Sequence, residues 1–82
     1  MNRDQLRAIV LEELSAIAPD IDIAHFDDGA RLRDEYDLDS MDALNLLAAV
    51  HQRLGVNIPE SDYARMYSLQ ALLDYLEPRV SG

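Results

Sequence analysis

Apolar residues recur at helical spacing in three stretches of this chain, and this periodicity limits the fold more than any other feature. The spacing of i, i+3, i+4 and i+7 places such residues on one face of a helix. The first stripe comprises Leu6, Ile9, Val10, Leu14 and Ile17, the second lies within residues 41–54, and the third comprises Leu69, Leu72, Leu73 and Leu76. We therefore expect an all-α fold.

Local start and stop signals set the expected helix bounds at about residues 3–18, 40–54, 60–67 and 69–77. Asn2 with Gln5 is typical of a capping box, and Ser68 is a favoured N-cap. Gly55 is expected to end the second long helix. Pro78 is expected to end the last helix, and residues 80–82 beyond it should fray. With 82 residues, the chain is expected to form a single domain over 1–82.

Composition excludes several classes of function. The chain has no cysteine, and its net charge of −9 comes from 16 acidic and 7 basic residues. This charge argues against binding to nucleic acid and to anionic membrane surfaces. The apolar runs are too short for membrane insertion, and the N-terminus lacks a secretory signal, so we expect a cytoplasmic protein. The acidic residues lack the spacing of a calcium loop and the two histidines lack nearby ligands, so no metal site is expected.

The connection over residues 20–38 follows neither the helix period nor the strand period. Nine acidic residues and two arginines fall within residues 20–42, so most of the charge gathers there. Long irregular connections in compact domains are usually functional. We expect a short helical turn near Ala30–Asp34, and apolar side chains that hold the connection on the helices: Ile21, Ile23, Phe26, Leu32, Tyr36 and Leu38.

Ser40 lies where the acidic connection turns into the second long helix. Either Asp39 or Ser40 suits the N-cap, and Asp42 favours the first turn, where the helix dipole stabilises negative charge. Both choices leave the Ser40 hydroxyl on the surface. Ser40 is therefore either a simple cap or the attachment point of a covalent group. No histidine lies near it in sequence to act as a general base, so no catalytic residue is predicted.

The second long helix carries two apolar stripes. A helix that packs on a small bundle needs only one stripe, so the second is either buried by another element or open to a partner. We favour an open docking face that begins beside Ser40. One stripe comprises Ala43, Leu46, Leu47, Val50 and Leu54, and the opposite one comprises Met41, Leu44 and Ala48, with His51 beside it.

The stretch from Leu32 to Asp42, with Asp39-Ser40-Met41 at its end, resembles an acyl carrier protein. The resemblance continues through Leu54–Pro59 and Ser68–Leu76 and covers about residues 3–77. It implies a four-helix bundle with a long loop between helices 1 and 2 and a short helix 3. It also implies that a phosphopantetheinyl transferase attaches phosphopantetheine from coenzyme A to Ser40, and that the arm holds acyl groups as thioesters. Such a carrier is not an enzyme, and we expect a monomer.

The resemblance also implies roles for other residues. Asp39 matches an aspartate implicated in the transferase reaction with its magnesium. Partner enzymes are expected to dock on Met41, Asp42, Leu44, Asn45, Ala48 and His51. An acyl chain is expected to insert among Leu46, Leu47, Val50, Leu54, Leu69 and Leu72.

The second helix departs from the strongly acidic helix of general fatty-acid-synthesis carriers, because Asp42 and Arg53 cancel in charge. We therefore expect a specialised fatty-acid, polyketide or lipid pathway with acyl-activating, condensing or acyltransferase partners. Two alternatives stay open. An aminoacyl or peptidyl carrier is less favoured because Asp37 and Leu38 stand where a Gly-Gly pair is usual, and D-alanyl carriers usually have glycine at the position of Asp42. An unmodified helical interaction module would use Ser40 only as a cap.

Overall fold

The computed structural model describes residues 1–80. It contains four α-helices: α1 (Arg3–Ile17), α2 (Leu32–Tyr36), α3 (Ser40–Leu54) and α4 (Leu69–Val80). Two 3₁₀ helices lie at Ile23–His25 and Glu60–Arg65. Extended pairing within this range is an isolated bridge between Arg31 and Ser68. The predicted all-α fold is confirmed, and α1 packs against both α3 and α4.

The start of α1 follows the predicted capping box. The Asn2 side chain accepts a hydrogen bond from the Gln5 backbone N–H at 2.8 Å, and the Gln5 side chain accepts one from the Asn2 N–H at 3.0 Å. The predicted apolar stripe was slightly misplaced. Leu11, which it omitted, is buried, whereas Ile9 and Ile17 are only half-buried. The buried face is rotated because α1 contacts two helices rather than one.

The acidic connection is fixed to the helices by specific contacts. The Arg7 guanidinium donates two hydrogen bonds to the Asp28 carboxylate, at 2.8 and 2.9 Å. The Phe26 and Tyr36 rings stack with their centroids 4.4 Å apart. The predicted helical turn near Ala30–Asp34 is observed two residues later, as α2. The connection is therefore an ordered layer that delivers the chain to the start of α3.

Two predicted helix bounds were wrong near the C-terminus. The predicted helix at 60–67 is a shorter 3₁₀ helix, Glu60–Arg65. Pro78 does not end α4, which continues to Val80. In this last turn the Arg79 guanidinium donates to the Tyr75 carbonyl at 2.7 Å and supplies a partner for the helix end. Val80 packs against the core rather than fraying, and Ser81 and Gly82 lie outside the described residues.

The core lies between the three long helices. Full burial of a leucine contributes about 1.5–3 kcal/mol, so a few such residues account for much of the stability of a small domain. The most completely buried side chains are Leu6, Val10, Leu14, Val50, Leu69, Leu72, Leu73 and Leu76. Among residues 1–80, none of the helices combines the length and apolar character required to cross a membrane.

Candidate functional site

Ser40 is the first residue of α3, and Asp39 is its N-cap. The Asp39 carboxylate accepts a hydrogen bond from the Asp42 backbone N–H at 2.9 Å. Of the two predicted caps, the structure therefore selects Asp39. The side chain of Ser40 is exposed, and its hydroxyl takes part in none of the side-chain hydrogen bonds found within residues 1–80. Ser40 thus has no capping role to compete with a covalent attachment.

A tight turn at the end of α2 sets the position of Ser40. Asp37 adopts a left-handed conformation with φ of 54°, which aspartate tolerates better than most residues. Its backbone N–H bonds to the Leu32 carbonyl, as does that of Leu38 at 3.3 Å. The Leu38 side chain is then buried beneath the turn. This anchor leaves Asp39 in extended backbone and directs the chain into α3.

A cavity of about 530 Å³ opens beside Ser40. Its walls come from α2, α3, α4 and the 60–67 segment. Of the residues predicted for an acyl cavity, Leu46, Leu47 and Leu72 line it. Val50 and Leu69 are instead buried in the core, and Leu54 is half-buried. Sequence reasoning missed the lining residues from other segments: Leu38, Tyr63, Ala64, Met66 and Tyr67.

Three large apolar side chains around this cavity are exposed. Met41 is 63% exposed, Leu44 is 43% exposed and Tyr67 is 52% exposed, and all three line the cavity. Met41 and Leu44 belong to the predicted docking stripe, whereas Tyr67 was missed because it lies far away in sequence. Ala43 was predicted on the buried stripe but is exposed and lines the cavity as well. The apolar surface beside Ser40 is therefore wider than one face of α3.

The other predicted docking residues differ in their surroundings. Asn45 and Ala48 are exposed, and Asp42 is half-buried in the first turn. His51 lies 2.8 Å from the Val56 carbonyl through its Nδ1 atom, which must donate because a carbonyl only accepts. This bond ties the end of α3 to the following loop, so the His51 side chain has a structural partner. Sequence reasoning could not foresee it, because the chain reverses at Gly55.

The outer wall of the cavity is held to α4 by a polar contact. The Tyr75 hydroxyl donates to the Asp62 carboxylate at 2.6 Å, which raises the pKa of Tyr75 above its usual value. The Arg79 guanidinium also stacks on the Tyr75 ring, 3.7 Å from its centroid. The bond to Asp62 joins α4 to the 3₁₀ helix that carries Tyr63 and Ala64, and the stacked Arg79 holds the Tyr75 ring in place. Clusters of side chains suited to hold a metal ion are not found within residues 1–80.

A family model described as a phosphopantetheine attachment site matches residues 4–76 of the chain. The chain belongs to this family of acyl carrier proteins. The predicted family and the predicted phosphopantetheine cofactor are both confirmed. Proteins of this family are carriers and not themselves catalysts, and they work with the enzymes of a pathway.

Several curated acyl carrier proteins are similar to this one over nearly their whole length. An acyl carrier protein from Campylobacter hominis is 28% identical over 74 residues, which cover 90% of this chain and 87% of that protein. One from Thermosynechococcus vestitus is 26% identical over 79 residues, 96% of this chain and 91% of that protein. The polyketide-8 synthase acyl carrier protein 2 of Streptomyces avermitilis is 28% identical over 80 residues, 98% of this chain and 86% of that protein.

The geometry at the start of α3 suits a phosphopantetheine group. An exposed serine hydroxyl without a hydrogen-bond partner among the described residues is available for esterification. The first turn of a helix offers backbone N–H groups and a positive dipole end to a phosphate. The neighbouring cavity offers apolar walls to whatever the arm carries. An exposed serine hydroxyl and an apolar cavity therefore lie side by side at the start of α3.

Proposed function

We propose that Ser40 is the attachment residue and that the loaded arm delivers acyl groups to partner enzymes. The observation that supports this most is that Asp39, rather than Ser40, caps α3. Asp39 caps the helix, which leaves the Ser40 hydroxyl exposed and free beside an apolar cavity. A serine needed for capping would instead hold its hydroxyl against the helix backbone.

The residues around Ser40 have separate tasks in this proposal. Bound phosphopantetheine supplies a terminal thiol that holds the acyl group as a thioester. Asp39 orients the first turn of α3, and we infer from the resemblance that it also meets the transferase and its magnesium. Leu46, Leu47 and Leu72 offer buried apolar surface to an acyl chain. Val50, Leu54 and Leu69 belong to the cavity only if the helices move apart.

The proposed docking surface begins with Met41 and Leu44, which are too exposed to contribute much to the core. Asp42, Asn45, Ala48 and His51 extend it along α3. The phosphopantetheinyl transferase and the acyl-activating, condensing or acyltransferase enzymes of one pathway would bind here. Arg53 pairs with Glu13 of α1 at 2.9 Å, so an ion pair within the chain neutralises its charge. Apolar contact rather than charge on α3 should therefore select partners.

A specialised fatty-acid, polyketide or lipid pathway remains our proposal for the biological setting. The weakly charged α3 supports it, as does similarity to a carrier named for a polyketide synthase. We also propose that the protein acts in the cytoplasm as a monomer. Efficient turnover by housekeeping fatty-acid synthase enzymes would contradict a specialised role.

The attachment is tested by intact-mass spectrometry after incubation with coenzyme A, magnesium and a permissive transferase. We expect the wild type to gain the mass of one phosphopantetheine and Ser40→Ala to gain none. Ser61→Ala is the matched control, because Ser61 is also exposed near the start of a helix, and it should gain the full mass. A gain in Ser40→Ala, or no gain in a folded wild type beside a working positive-control carrier, would refute the proposal.

The nature of the cargo separates the two carrier alternatives. An acyl carrier should accept acyl groups from its pathway enzymes, whereas an aminoacyl or peptidyl carrier should be charged by an adenylating enzyme for an amino acid. A protein that takes up no arm at all would be an unmodified interaction module. Loading assays with an acyltransferase and with an amino-acid-adenylating enzyme, followed by mass spectrometry, distinguish these three outcomes.

A further inference from the structure

Within the described part of the chain, two arginines at the cavity beside Ser40 have no carboxylate partner. Arg31 and Arg33 both line this cavity. Among residues 1–80, no carboxylate oxygen lies within 4.0 Å of either guanidinium, although the chain has 16 acidic residues. The other arginines all have polar partners: Arg3, Arg7, Arg53 and Arg65 pair with carboxylates, and Arg79 donates to a backbone carbonyl.

The position of Arg31 is fixed by its surroundings. Its backbone forms the isolated bridge to Ser68, and its carbonyl accepts from the Glu35 N–H at 2.9 Å. Its guanidinium lies over the Tyr67 ring, 5.1 Å from the centroid. A guanidinium stacked on a ring keeps its N–H edge free, and this edge matches the two oxygens of a carboxylate or phosphate.

Carboxylates also line this cavity, but within the described residues they do not pair with these two exposed arginines. Within the described residues, neither Asp34, Asp39 nor Glu60 forms an ion pair with Arg31 or Arg33. Elsewhere on the same molecule Arg7 and Asp28 form a two-bond pair. Within the described residues, the ten N–H donors of the two guanidinium groups, five on each, are therefore directed at none of the three carboxylates that line the cavity.

We propose that Arg31 and Arg33 bind an anionic group carried on the arm, and this inference rests on the proposed attachment at Ser40. The group has two sources with the same chemistry. One is the phosphodiester at Ser40 itself, which is present in every loaded form. The other is a carboxylate at the far end of a short acyl cargo. In either case the arginines turn the arm towards the cavity and away from solvent.

The test uses the full chain in three loaded forms: the arm alone, the arm with a butyryl group, and the arm with a succinyl group of the same chain length. Exchange of the arginine Nε–H protons with solvent is measured by NMR, and Arg31→Lys and Arg33→Lys identify the resonances. A charge-assisted hydrogen bond should slow this exchange about tenfold relative to the unloaded protein. Arg53 is the internal control, because it lies near the other end of α3 and outside the cavity lining.

Each pattern of Nε–H exchange either supports or overturns the proposed anion site. Slowed exchange already with the arm alone assigns the site to the phosphodiester, and slowed exchange only with succinyl assigns it to a cargo carboxylate. Unchanged exchange in all three forms, or equal slowing at Arg53, overturns the inference. The intact mass of each sample separates this from the attachment itself. A mass that does not rise refutes Ser40 loading, whereas a loaded sample with unchanged Arg31 and Arg33 refutes only the anion site.

Discussion

The two ends of α3 differ in how completely their groups find partners within the chain. At the C-terminal end, Gly55 adopts φ of 69° and donates its N–H to the His51 carbonyl at 2.8 Å. The His51 ring bonds to the Val56 carbonyl, and Arg53 pairs with Glu13 of α1. Each polar group named here has a partner within the chain, so these contacts support the fold.

The N-terminal end has the opposite character. Met41 and Leu44 expose much of their apolar surface, the Ser40 hydroxyl has no hydrogen-bond partner among residues 1–80, and a cavity opens beside them. A single helix thus carries a closed end and an open end. The closed end therefore holds α3 in the fold, whereas the open end presents a hydroxyl and apolar side chains that a cofactor and partner enzymes can contact.

The largest expected effect comes from two leucines on α3 that are three positions apart. Leu47 is 5% exposed, so Leu47→Ala should lower the free energy of unfolding by about 2–5 kcal/mol. Leu44 is 43% exposed, so Leu44→Ala should change it by about 0.5 kcal/mol or less. Urea denaturation of both variants measures the difference. Equal losses would show that Leu44 belongs to the core and is not open for docking.

The two caps of α3 should separate stability from function. Gly55→Ala introduces no steric clash, but it places a side chain on a residue with a left-handed backbone conformation. Asp39→Ala removes the hydrogen bond from the Asp42 N–H. Each should destabilise the protein by about 1 kcal/mol. Only Asp39→Ala should also slow loading by the transferase, measured as the initial rate of mass gain. Slow loading of a folded Gly55→Ala variant would contradict the division between the two ends.

The same contrast explains what could be predicted from the sequence. The apolar period of α3 and its glycine stop are local signals, so its bounds were predictable. The cavity was only partly predictable, because Tyr63, Met66 and Tyr67 reach it from a segment that is distant in sequence. The 3₁₀ form of Glu60–Arg65 depends on contacts with α4, such as the bond between Asp62 and Tyr75. Local pattern fixes helices, whereas the walls of the site depend on tertiary packing.

A smaller effect is expected at the cavity wall in alkaline solution. The bond to Asp62 raises the pKa of Tyr75, so the folded state favours the neutral phenol. This contribution to stability is present below the unfolded pKa of about 10 and is lost as pH rises through the higher folded pKa. Urea denaturation between neutral and alkaline pH should therefore show a steeper loss for the wild type than for Tyr75→Phe. Parallel pH profiles of the two proteins would show that the bond between Tyr75 and Asp62 does not contribute to stability.

The smallest expected effect is a general one. Because the net charge is −9, the folded chain repels itself, and moderate salt should raise the melting temperature by a few degrees at most. Melting curves at low and moderate sodium chloride measure this. The ion pairs between Arg53 and α1 and between Arg7 and Asp28 work in the other direction, since salt weakens them. A fall in melting temperature would mean that these pairs outweigh the overall repulsion.

The central claim, that the open end of α3 receives the cofactor, is tested most directly by comparing backbone amide NMR spectra before and after transferase loading. We predict that the largest shifts fall at residues 38–44 and in the 60–67 wall of the cavity. Residues 51–58, at the closed end, should change little, and Ser40→Ala should show no change under the same treatment. Shifts centred on the closed end, or a loaded protein whose residues 38–44 do not respond, would contradict the account.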